Sequence, residues 1–247
     1  IHGGGIDLIP THHTNEIAQN IACCRKNPAN YWIHTNMLTV NGQKMSKSLG
    51  NSFLPAELFA GKHPLLRKGY SPMTVRFFML QAHYRSTLDF SNEALDASEK
   101  GLRRLMAAAD LLNRLRPGST SGPDIPALEQ RCYAAMNDDF NSPVAIAELF
   151  EAARIINSVN DGKESLTAPD LERLKTLYNH FLFDIFGLKE EKGSENGLDE
   201  IMRILIDLRK EARLKKDFAT ADMIRQRLQE ADFLLNDSKE GTTWSRV

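Results

Sequence analysis

The sequence predicts a mainly α protein with a small α/β remnant at its start and a short C-terminal α/β unit with a hairpin. Three observations predict it. From about residue 71 to 187, apolar residues recur at spacings of three, four and seven, as on one face of a helix. Ahead of that region, Tyr31 to Val40 is an aromatic and apolar run without a breaker, which reads as a strand. Behind it, Phe233-Leu234-Leu235 and Thr242-Thr243-Trp244 flank Ser238-Lys239-Glu240-Gly241, which reads as a hairpin. The domains expected are 1–70, a helical bundle over 71–190, and a unit over 195–247. Between the last two lies the polar linker 189–197.

The elements follow in order. Pro10-Thr11 predicts a helix start with Thr11 as N-cap. Pro55, Gly61, Pro64 and Gly69 mark turns around short helical pieces. Ser71-Pro72 opens a helix with proline at its first position. Ser91 caps a long helix to about Arg116, carrying Leu95, Leu102, Leu105, Ala109 and Leu112 on one face. Three more helices are expected near 127–136, 142–160 and 168–187, the last ending at Gly187. Ile201, Ile204, Leu205, Leu208 and Ala212 form a further stripe. Asp217 starts a helix with Phe218, Ala221, Ile224, Leu228 and Ala231 on one face.

Composition narrows the function classes. A net charge of −1 excludes a uniformly basic nucleic-acid binder but not a local basic patch. No run approaches the roughly 18 apolar residues of a membrane span, so a soluble, cytoplasmic protein is expected. Cys23, Cys24 and Cys132 form a poor disulfide framework and fit a reducing cytosol; the first two read as apolar helix-face residues. The opening Ile1-His2-Gly3-Gly4-Gly5 has neither a Met nor a signal peptide and is expected of the middle of a longer protein.

Four stretches carry chemistry. Lys44-Met45-Ser46-Lys47-Ser48 puts two ammonium groups three residues apart in a turn bounded by Gly42 and Gly50. Such a loop suits a polyphosphate, the alternative being a solvated turn. Gly3, Gly4 and Gly5 permit close backbone approach, and Asp7 could accept from ribose hydroxyls, so a glycine turn against a nucleoside is expected. On the predicted helix His12 and Glu16 are four apart and share a face, a zinc-compatible pair; Asn15, and after it His13, compete as contacts. His34 reads as a packed or surface histidine rather than a ligand. Arg209-Lys210-Glu211-Ala212-Arg213-Leu214-Lys215-Lys216 holds five basic residues in eight, either an RNA patch or a solvated helix end. Trp244 is a core anchor or a base-stacking surface.

These stretches, with Asn30-Tyr31-Trp32, His83-Tyr84-Arg85-Ser86, Asp138-Asp139-Phe140-Asn141-Ser142-Pro143 and the Ala219-to-Arg225 helix, resemble cysteinyl-tRNA synthetases. The pentad reads KMSKS, the second signature of class I aminoacyl-tRNA synthetases. The resemblance covers essentially the whole chain. It implies the second half of a class I, Rossmann-like nucleotide-binding catalytic domain, then a tRNA-binding, stem-contacting bundle and an anticodon-binding unit. It implies zinc, held by His12 and Glu16 with two cysteines, which selects cysteine over serine through the thiolate. His2 falls near that zinc; Gly3, Gly4, Gly5 and Asp7 fall on the adenosine surface. Lys47 falls on the ATP-contacting lysine, with Lys44 beside it, and ATP comes with magnesium. The partners implied are tRNA-Cys, cysteine and ATP, without DNA or membrane, for a monomer. Arg209, Lys210, Arg213, Lys215, Lys216 and Trp244 are the tRNA-contact candidates.

The match departs from the family in two ways. Pro10-Thr11 stands where the family has Phe-Pro before the two histidines. The HIGH signature and the two zinc cysteines have no counterpart in these 247 residues, so this chain alone is expected to be inactive. The competing expectations are a non-catalytic tRNA-binding module, or a ligase joining cysteine to an amino-sugar, against which residues 195–247 argue.

Overall fold

The structure, a computed structural model, describes residues 1–189, 195–231, 233–238 and 241–246. It divides into two compact units, 1–189 and 190–247.

The first unit begins with strand β1 (His2–Gly5), parallel to β2 (Trp32–Thr35), with His2 opposite Trp32 and Gly4 opposite His34. The glycines therefore lie in a strand and not in a turn. Close backbone approach is still their role. A Cβ on Gly4 would stand 2.7 Å from Leu8 Cδ1 and 2.9 Å from His13 Cε1. Between these strands run a short 3₁₀ turn (Ile6–Leu8), a π turn (Ile9–His13) and helix α1 (Thr14–Cys24). The helix starts two residues later than Thr11 as N-cap predicts. Pro10 sits in the wide turn, and the Thr14 hydroxyl donates to the Ile9 carbonyl at 2.6 Å.

The predicted strand over 31–40 is two strands. After β2 the chain breaks at Asn36, whose amide N–H and side chain donate to the carbonyls of Tyr84 and Arg85. It resumes as β3 (Leu38–Val40), antiparallel to β4 (Gln43–Lys44) and parallel to β5 (Leu88–Phe90). Asn41 and Gly42 link β3 to β4 with φ of 51° and 75°. Both central residues are left-handed, as a twisted two-residue hairpin requires, and Asn-Gly is its favoured pair. Helices α2 (Pro55–Ala60) and α3 (Pro72–Leu80) form the crossover to β5. They bury Val40, Leu58, Tyr70, Val75, Phe78, Phe90 and Leu95 as one apolar cluster.

The bundle consists of α4 (Asn92–Leu112), α5 (Ile125–Asn137), α6 (Ser142–Asn160) and α7 (Ala168–Asn179), extended by a π turn to Ile185. Local chemistry sets the starts. Ser71, Ser91, Asp124, Asn141 and Thr167 each accept a backbone N–H in the first turn, leaving fewer orphan donors. The long helix ends at Leu112, short of Arg116. Phe77, Leu105, Leu149, Ile156, Leu174 and Phe181 lie in its fully buried core.

In the second unit α8 (Glu195–Leu214) and α9 (Phe218–Glu230) precede strands β6 (Phe233–Ser238) and β7 (Gly241–Arg246), paired antiparallel. Residues 195–197 of the expected linker are helical; 190–194 lie outside the described residues, as do Lys239 and Glu240 of the predicted hairpin turn. The buried face of α8 is not the expected stripe. Met202, with Leu205 and Ile206, packs toward Leu228 and Leu235, while Ile201, Ile204 and Leu208 are exposed.

Candidate functional site

Two groups of predicted site residues are built by the first unit. The first is a histidine cluster over β1 and β2. The π turn carries extra residues per turn and so rotates the phase of the chain entering α1. His13, and not His12, is thereby turned inward: His13 is 4% exposed and His12 lies in solvent. Ligating atoms of His2, His13 and Glu16 lie within 4.8 Å of one another. His2 Nε2 stands 3.1 Å from Glu16 Oε2, yet that buried oxygen accepts no hydrogen bond of good geometry. His13 Nδ1 is 2.8 Å from His34 Nε2. Trp32 floors the group, with its ring centroid 4.8 Å from that of His2 and 5.0 Å from that of His13. Burial, then the neighbouring His2 and His34, hold His13 below the usual imidazole range, which disfavours the charged ring.

The structure thus joins His2 and Glu16 with His13. It leaves His12, the histidine expected from the helical spacing, outside the group. His34, expected to be packed or on the surface, is the partner that orients His13. Sequence spacing had no means of finding that contact, because 21 residues separate the pair. Asp7 is exposed, and its carboxylate folds back over Gly5, where a Cβ would collide with it.

The second group is the lysine loop. Lys44 ends the β3–β4 hairpin, whose turn is braced where Asp89 Oδ1 accepts from Gly42 N at 2.8 Å and from Thr39 Oγ1 at 2.6 Å. Met45 packs on the apolar cluster around Val40 and Phe90. Lys47 opens a turn closed by its carbonyl and Gly50 N at 3.1 Å, with Gly50 at φ 63°. Lys44 and Lys47 are exposed, and among the described residues neither is in an ion pair. The loop offers two positive charges on a fixed base, an arrangement fit for phosphate oxygens.

The remaining candidates are placed as follows. Arg85 pairs with Asp139 at 2.8 Å, and the Tyr84 hydroxyl donates to the same carboxylate at 2.6 Å, so this arginine holds the bundle to the strand end. Lys210, Arg213, Lys215 and Lys216 are exposed, but Arg209 is only 3% exposed. Burial withdraws Arg209 from the accessible patch. Trp244 is half-buried, its ring 5.7 Å from Phe233 in an edge-to-face pair. Cys23 and Cys24, expected as apolar helix-face residues, lie on α1 but are exposed, and Cys132 is buried.

Comparison with known proteins bears on all of this. The family model for the tRNA synthetases class I (C) catalytic domain matches residues 1–100, and that for the DALR domain matches residues 131–190. The chain is 51% identical over 248 residues to a cysteine–tRNA ligase of Porphyromonas gingivalis, covering 99% of this chain and 51% of that one. A cysteine–tRNA ligase of Bacteroides thetaiotaomicron is 51% identical over 250 residues, with the same shares covered. One from Chlorobium luteolum is 41% identical over 256 residues, covering 100% of this chain and 51% of its own. The chain therefore spans about half the length of the curated relatives it matches. Among solved structures, the ternary complex of Agrobacterium radiobacter K84 agnB2 LeuRS-tRNA-LeuAMS superposes with a TM-score of 0.53 at 18% identity. That match covers 76% of this chain and 27% of the other, and likens the fold alone.

Proposed function

The chain belongs to the cysteinyl-tRNA synthetase family of class I aminoacyl-tRNA synthetases, and on that premise we propose that it is the part of a cytoplasmic, ATP-dependent cysteine–tRNA ligase that carries the lysine loop and half of a metal site. The observation that carries this is the pair of solvent-facing ammonium groups, Lys44 and Lys47, on a hairpin anchored at its base. Cysteine carboxylate attacks the α-phosphate of ATP, and charge builds on the departing pyrophosphate. Ammonium groups placed in advance stabilise that charge without reorganising at the moment of reaction. A ribose hydroxyl of the terminal adenosine of tRNA-Cys then takes the cysteinyl group from the adenylate, and AMP leaves.

Adenosine is proposed to lie along Gly3, Gly4 and Gly5, with the exposed Asp7 carboxylate accepting from ribose hydroxyls. The residues present suit zinc: two imidazoles and a carboxylate oxygen without a well-formed hydrogen bond converge on one point. Glu16 is proposed as one ligand. The histidine beside it is His12 by the family pattern and His13 by the direction its ring takes here; zinc content of the two single alanine variants separates them. When bound, zinc offers the substrate thiolate a soft-ligand position that a serine hydroxyl fills poorly. His2 keeps the Glu16 carboxylate facing the cluster. In the second unit, Lys210, Arg213, Lys215 and Lys216 are proposed to meet tRNA phosphates.

Cysteine-dependent ATP–pyrophosphate exchange tests the reading. The full-length enzyme is expected to catalyse it, and Lys47→Ala to lower its rate by about a hundredfold, as loss of one preorganised donor does. The 247-residue chain alone is expected to give none; measurable exchange by it would sink the idea that its two donors and loop are an incomplete site.

A further inference from the structure

The lysine loop is held by a residue outside the pentad. Asn51 is 6% exposed, in a stretch whose other residues from Lys47 to Gly50 all face solvent. Its Oδ1 accepts from the backbone N–H of Ser46 at 2.8 Å, and its Nδ2 donates to the carbonyl of Lys44 at 3.1 Å. One amide plane thus grips the main chain on both sides of Met45. Only one orientation of the amide satisfies both partners, since exchanging O and N would set donor against donor and acceptor against acceptor. Ser46 passes the constraint onward: its Oγ accepts from Leu49 N at 3.3 Å and lies 3.3 Å from Ser48 Oγ.

We propose that Asn51 is the positioning residue of the lysine loop: it fixes the backbone from Lys44 to Ser46, and so the point from which Lys47 reaches the polyphosphate. The proposal rests on the ligase reading above. Asn51 itself touches no reacting atom. A glycine-ended turn with two mobile side chains can place its charges in many ways, and a misplacement of about 1 Å at a reacting centre costs on the order of a hundredfold in rate. Pinning the carbonyl of Lys44 and the amide of Ser46 removes most of that freedom. The tip from Lys47 to Gly50 stands on that fixed base, held by its own turn and by the Ser46 hydroxyl.

The loop's charges act on pyrophosphate departure and not on the later acyl transfer, so the two half-reactions separate positioning from mere stability. In the full-length enzyme, Asn51→Ala should lower the rate of cysteine-dependent ATP–pyrophosphate exchange by about thirty- to a hundredfold per titrated active site. The KM for cysteine should stay within about twofold, and transfer from enzyme-bound cysteinyl-adenylate to tRNA in a single turnover should be unchanged. Asn51→Asp, which keeps the acceptor for Ser46 but faces the Lys44 carbonyl with an oxygen, should fall between the wild type and Asn51→Ala, and carries the test if the alanine variant does not fold. In this chain, amide hydrogen exchange at Ser46 should speed up in Asn51→Ala. Unimpaired activation in the variants, or activation and transfer falling together, overturns the proposal. Absence of cysteine-dependent exchange in the wild-type full-length enzyme sinks the ligase reading and takes this proposal with it.

Discussion

At the scale of single residues, position in space reassigns several side chains that sequence treats alike. His12 and His13 are adjacent and chemically identical, yet one is solvated and the other is packed against Trp32 and His34. Gly4 makes the difference possible, because its missing Cβ is the space that the His13 ring occupies. The cysteines divide in the same way. Burial pushes the Cys132 thiol up to about 12, whereas Cys23 and Cys24 stand exposed on α1. Only the thiolate is alkylated. Iodoacetamide at about pH 8 should therefore modify Cys23 and Cys24 in the folded chain and reach Cys132 only after unfolding, which intact mass reports as two adducts and then three.

At the scale of elements, what was legible followed from short-range chemistry. Ser71, Ser91 and Asn141 begin helices within a residue of the positions expected, since a cap and the backbone N–H that donates to it lie three residues apart. The β3–β4 hairpin carries a local signal in Asn41-Gly42, the pair that favours two left-handed residues in succession. The π turn over Ile9–His13 carried none, because a wide turn shares the residue preferences of a helix. Lys68 shows how a loop is tied to a helix: its ammonium lies 2.7 Å from Glu99 and 3.2 Å from Asp96 on α4. Burial pushes both carboxyls up, but hydrogen bonds from Lys68, with help from Tyr70 at Asp96 and Arg103 at Glu99, hold both below the usual range. Groups with depressed folded pKa values contribute stability above the ordinary carboxylate range and lose it as pH falls through their folded values. Lys68→Met should thus lower stability at pH 7 by about 0.5 kcal/mol, the lysine being half-exposed and screened, and by less at about pH 3.5. Urea midpoints at the two pH values check this.

At the scale of the whole molecule, the larger core closes within residues 1–189. Among the described residues, its apolar clusters draw on residues up to Leu188. A chain truncated after Lys189 should therefore keep a cooperative thermal transition within about 3 °C of that of the corresponding transition in the full chain, read by far-ultraviolet circular dichroism. A loss of cooperativity would mean that the second unit completes the first unit's core.

The sequence by itself determined the capped helix starts from Ser71 through the bundle, the mainly helical class, and the stretches that bear chemistry: the paired lysines, the glycine run and the two histidines before Glu16. Each is written within a few neighbouring residues, in capping groups, turn pairs and side-chain chemistry, and needs no distant partner. Only the tertiary structure decided which histidine faces Glu16, that Arg209 is buried while its basic neighbours are not, and that Asn51 grips the lysine loop from below. Those outcomes depend on what packs against an element from far along the chain, as His34 does on His13 and Asp139 on Arg85. Local periodicity fixes how residues are spaced around a helix; the partner that arrives from elsewhere fixes which side turns inward.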